Sequence, residues 1–167
     1  PASTWTTGAT AAASGKRIAL VIGNGKYPTA PLKNPGNDAR AMAKSLKELG
    51  FEVTLRENAG QRDMAAAVRQ FGSSITPGSV ALFYFAGHGS RYRDDEARDQ
   101  DTGYNGTILP ADARNPDGSP GDIFDVELKA LKDRATAAGL YFVSVFDSCN
   151  SATATRTGAA GLSRSAP

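Results

Sequence analysis

The 167-residue chain contains one histidine, His88 in "YFAGHGS", and one cysteine, Cys149 in "FDSCNS". A thiol is mostly protonated at neutral pH, whereas imidazole titrates close to neutrality and can take the thiol proton or hold a thiolate–imidazolium pair. Such a pair supplies a nucleophile for an acyl carbon and a proton for the departing group. Taken singly, a lone histidine is more often a surface or satisfied core residue, and a lone cysteine a small hydrophobe. Their matching contexts argue for a pair. "VALFYFA" runs into the histidine segment and "LYFVSVF" into the cysteine segment, two short apolar stretches of the kind that form buried strands.

The elements that would position the pair can be read from period and punctuation. "RIALVIG" (17–23) predicts a strand buried on both faces. After a loop rich in Pro, Asn and Gly, "NDARAMAKSLKELG" places Ala39, Met42, Ala43, Leu46 and Leu49 at helical spacing, with Asn37 or Asp38 as cap and Gly50 as stop. "FEVTLRE" alternates Phe51, Val53 and Leu55 with polar residues, as a strand near a sheet edge does. "RDMAAAVRQFG" predicts a second helix, "SVALFYFAG" a central strand, "DVELKALKDRATAAG" a third helix and "LYFVSVF" (140–146) the last central strand. The stretch from Ser90 to Gly106 breaks this rhythm and reads as a long loop. Alternating strands and helices imply an α/β fold, a three-layer sandwich with a mostly parallel central sheet and helices on both faces. Sites in such sheets gather at the carboxyl ends of the strands. If the strands before His88 and Cys149 are neighbours, their loops meet at one crevice.

Bulk composition narrows the classes. The length suits one domain with a real core. Nineteen basic and seventeen acidic side chains give a net charge of +2, and the basic residues are scattered, so nucleic acid is not an expected partner. One cysteine excludes an internal disulfide. The apolar runs are far shorter than the ~20 residues of a membrane-spanning helix, so no membrane partner is expected. The compartment stays open, a cytoplasmic setting being taken ahead of an exported or periplasmic one. Residues 1–16 read as a flexible N-terminal segment, 17–151 as the catalytic domain, and 152–167 as a flexible tail or processing linker.

Together "VIGNGKY", "NDA", "YFAGHGS", "TILPADA" and "FDSCNS" resemble the large-subunit region of the caspase-like cysteine peptidases, particularly their metacaspase and bacterial (orthocaspase) branches. The resemblance implies a cysteine endopeptidase with a His88–Cys149 dyad and an oxyanion hole from the backbone N–H groups of Gly89 and Cys149. It also implies a substrate pocket lined by Asp38, Asp147 and Ala86. Its acids would select arginine or lysine before the cut, whereas an aspartate preference would need an arginine at the pocket base, where "PLKNPGNDA" offers only Lys33. Protein or peptide substrates are the expected partners. Self-processing is expected at Arg156 or Arg164 in the tail.

The departures from the family pattern shape further expectations. No cofactor is required. Calcium binding has weak candidates in Asp99 and Asp125, because the family's paired aspartates before "EL" stand here as "DVEL". Asn150 follows the cysteine where metacaspases commonly have histidine. The small-subunit part lacks a counterpart: four central strands stand where the fold normally has six. The chain then pairs with a small-subunit chain, self-associates through an unpaired edge, or survives in reduced form. A silent caspase-like interaction module is the alternative from another class. A nucleotide-binding reading of "GNGK" is poor, since Pro28 and a missing third glycine spoil the fingerprint.

Overall fold

A computed structural model of the chain describes residues 15–93, 104–113, 123–124, 131, 133 and 141–147. Its centre is a four-stranded parallel sheet in the order β2-β1-β3-β7, formed by β1 (Arg17–Gly23), β2 (Glu52–Glu57), β3 (Val80–Ala86) and β7 (Tyr141–Asp147). Helix α1 (Pro35–Glu48) links β1 to β2 and α2 (Gln61–Ser74) links β2 to β3. The chain thus steps from β1 to one neighbour and returns to the other, so the connections diverge between β1 and β3. Beyond β3, β4 (Gly89–Arg93), β5 (Tyr104–Ile108) and the short β6 (Ile123–Phe124) form an antiparallel sheet in that order.

Alternation along β1 and β3 sorts the core into two layers. On one face Ile18, Leu20, Ile22, Ala81, Phe83 and Phe85 meet Met64, Ala67, Val68 and Phe71 of α2. On the other Ala19, Val21, Tyr84 and Ala86 meet Ala39, Ala43 and Leu46 of α1. Phe83, Phe85, Leu20 and Ile22 are fully buried, each worth about 2 to 3 kcal/mol by removal from water. The α1 layer is built of small residues, which brings the helix close. A Cβ added at Gly23 would lie 2.4 Å from the carbonyl oxygen of Pro35 and 2.6 Å from Cβ of Ala39.

The three-layer expectation holds, and β1 occupies the span read from "RIALVIG". Two local expectations do not. Helix α1 starts at Pro35 with Asn34 in the cap position, so neither Asn37 nor Asp38 caps it. Proline is well suited to a first helical position, where its missing N–H costs no bond. The Ser90–Gly106 stretch is also more than a loop: its two ends pair as β4 and β5, from Gly89↔Ile108 to Arg93↔Tyr104. Of the third expected helix, Leu131 and Asp133 are described and helical.

Candidate active site

The register of the parallel sheet sets the ends of all four strands in one row. Gly23 lies opposite Glu57 and Ala86, and Ala86 opposite Asp147. His88 stands two residues past Ala86, and Cys149 follows Asp147 at the same sequence distance. The strands bearing the two segments are therefore direct neighbours ending at the same level. Cys149 itself lies outside the described residues.

His88 is held at both ends. Its backbone N–H donates to Oη of Tyr27 at 2.9 Å, and its carbonyl oxygen accepts the N–H of Leu109 at 3.0 Å. At the ring, Nε2 lies 2.7 Å from the carbonyl oxygen of Ala30. A carbonyl can only accept, so the hydrogen is on Nε2, and Nδ1 of the neutral ring keeps its lone pair. The tautomer is thereby the one whose Nδ1 can take a proton. The Tyr27 ring packs against the imidazole at a centroid distance of 4.6 Å and a tilt of 50°. Its hydroxyl, which accepts from His88, donates in turn to the Leu109 carbonyl at 3.2 Å.

These contacts depend on the loop after β1. Asn24, fully buried, accepts the Ala59 N–H at 2.9 Å, while its Nδ2 lies between the carbonyls of Leu109 (3.2 Å) and Ala59 (3.3 Å). Oδ1 of Asn58 accepts the N–H groups of Gly25 (3.0 Å) and Lys26 (2.9 Å), and the Leu32 N–H closes the loop on the Gly25 carbonyl at 2.8 Å. Asn58 (φ 50°) and Ala30 (φ 54°) both occupy the left-handed region, uncommon for residues with a side chain. At Gly87 a Cβ would lie 2.5 Å from Tyr27 Oη and 2.8 Å from Cζ of Phe85. Its glycine thus makes room for tyrosine inside the protein. Across the rim, Asp112 accepts the Gln61 N–H at 2.9 Å and ties the segment after β5 to the start of α2.

The other sequence candidates fall as follows. Gly89 is the first residue of β4, half-buried. Ala86 ends β3 buried in the α1 layer, with its carbonyl accepting the Asn24 N–H at 2.8 Å. Asp38 lies in the first turn of α1, half-buried, and among the described residues its carboxylate has no hydrogen bond or ion pair. Beside it, Arg40 pairs with Glu57 and donates to Oδ1 of Asn37. Lys33 is exposed. Asp147 ends β7. Arg156, Arg164, Asp99 and Asp125 lie outside the described residues, among which no three His, Cys, Asp or Glu side chains converge as a metal site. Sequence reasoning missed Tyr27, Ala30, Asn24, Asn58 and Leu109. Only Asn24 carries a signal, a polar residue directly after a buried strand, which must find partners.

The Caspase domain family model matches residues 16–165, and the chain belongs to that family. Metacaspase-1 of Mycosarcoma maydis is 32% identical over 84% of this chain and 37% of its own length. Metacaspase III c of Phaeodactylum tricornutum is 31% identical over 85% of this chain and 44% of its own. Among solved structures, a protein of Geobacter sulfurreducens superposes with a TM-score of 0.63 at 27% identity, covering 80% of this chain and 50% of that one. The chain therefore spans about two-fifths of the length of these two curated relatives.

Proposed function

We propose that this chain carries the catalytic site of a cysteine endopeptidase that cleaves after arginine or lysine, with Cys149 as nucleophile and His88 as its base and acid. The observation that carries the reading is the register Ala86↔Asp147, which sends the histidine and cysteine segments out of adjacent strand ends. His88 Nδ1 takes the thiol proton as sulfur attacks the scissile carbonyl carbon, and the Ala30 carbonyl stabilises the imidazolium through Nε2–H. The backbone N–H groups of Gly89 and Cys149 receive the oxyanion. The imidazolium then protonates the amine, the C–N bond breaks, and a thioester remains. Water, deprotonated by His88, hydrolyses it and regenerates the thiol.

The specificity reading rests on charge. Among the described residues Asp38 carries an unpartnered carboxylate near the rim, while Arg40, the neighbouring guanidinium that an acidic side chain would need, is engaged by Glu57 and Asn37. Asp147, two residues before the nucleophile, supplies the second acid of the pocket. The same activity acting on the tail would cut at Arg156 or Arg164. At the sheet edge among the described residues, Val143 and Val145 of β7 are 46% and 37% exposed, which supports addition of a small-subunit chain or a second copy along this strand.

The test is hydrolysis of peptides ending in Arg, Lys or Asp before a chromogenic leaving group, with and without calcium. Cleavage after Arg and Lys is expected, abolished by Cys149→Ala. Asp147→Asn should lower kcat/KM for the arginine peptide about 100-fold, the scale of losing one charge-assisted bond. Failure of every peptide under both conditions would leave the silent interaction module in front.

A further inference from the structure

We infer that Tyr27 is a positioning residue for His88, fixing through its hydroxyl and ring the one imidazole orientation in which Nε2 donates to Ala30 and Nδ1 keeps its lone pair for proton transfer; its use in catalysis rests on the peptidase reading above. Ala30 alone fixes only the tip of the side chain. Tyr27 fixes the base, because the His88 N–H ends on its hydroxyl, and the face, because its ring lies 4.6 Å from the imidazole. The hydroxyl is in turn set by the Leu109 carbonyl, and Leu109 returns an N–H to His88, which closes a ring of contacts. Tyr27 is 5% exposed, and the missing Cβ of Gly87 leaves the space its oxygen needs. Tyr27 and Ala30 also share one loop, pinned at its base by Asn58. Displacing that loop therefore moves the backbone anchor and the Nε2 acceptor together.

Because the chain has one histidine, the imidazole gives a single set of nitrogen resonances in 15N NMR. With the ring neutral, the wild type should show hydrogen on Nε2 alone. Tyr27→Phe keeps the ring and removes the hydroxyl; it should broaden or average these resonances between the two tautomers and lower kcat about 10- to 100-fold, with KM within about twofold. Asn58→Gly keeps access to a positive φ and frees the loop base without touching His88. The same spectral change is expected, with a kcat loss of about 3- to 10-fold. Unchanged tautomer and line widths in folded Tyr27→Phe would overturn the inference, as would a kcat loss accounted for wholly by unfolded protein. If Tyr27→Phe does not fold, Asn58→Gly decides by the same two criteria. If the wild type cleaves nothing, the peptidase reading fails, while the spectra still decide whether Tyr27 positions the imidazole.

Discussion

The two ends of the central sheet are built differently. At the amino end, polar contacts are short-range or wet. Thr76 and Ser79 share a hydroxyl bond three residues apart, Lys16 pairs with Glu52 at 2.9 Å with both side chains more than half exposed, and Arg17 reaches the exposed carbonyl of Leu49. At the carboxyl end, Asn24, Tyr27, His88, Asn58 and Asp112 join segments remote in sequence, and Asn24 and Tyr27 do so from full or nearly full burial. A buried polar group is costly unless every partner is present. The carboxyl end accepts that constraint and in return holds one side chain in one orientation. The amino end needs only to close the fold.

Urea unfolding of variants from both ends would break or sharpen this contrast. The largest loss is expected at Asn24→Ala, about 3 kcal/mol, since it leaves the buried Ala59 N–H without its acceptor and takes one of two donors from the Leu109 carbonyl. Gly87→Ala should follow at about 2 kcal/mol, because the new methyl must push the Tyr27 hydroxyl and the Phe85 ring aside; the nitrogen resonances of His88 should change with it. Ser79→Ala, buried at the amino end, should cost about 1 kcal/mol, one hydroxyl bond, with those resonances untouched. Glu52→Gln should fall within about 0.5 kcal/mol of wild type. An effect of Ser79→Ala or Glu52→Gln equal to that of Asn24→Ala would erase the distinction.

Much of the fold was legible because burial leaves a run. β1, β3 and β7 are apolar nearly throughout, and β2 alternates because only its Val53 and Leu55 side packs on the core. The start of α1 was misread because Pro35 and Gly36 look like loop residues, although proline fits a helix's first turn. β4 and β5 were missed because their residues, "GSRYR" and "YNGTI", carry no sustained apolar period, and pairing with each other is what makes them strands. In the candidate site His88 stood out by being singular. Its partners did not: Ala30 acts through a backbone oxygen, and Tyr27 and Leu109 meet the histidine across long sequence separations that leave no periodic trace.

Asn24 is followed by Gly25, the neighbour that most readily attacks an asparagine amide, expelling ammonia and leaving aspartate or its isomer. In the native fold the Gly25 N–H is held by Asn58 and the Asn24 amide is locked among backbone groups, so the attack has neither freedom nor geometry. Unfolding releases both. An aspartate formed there would return a carboxylate where two carbonyls await a donor, so chemical ageing of the denatured chain should convert a reversible excursion into a permanent loss.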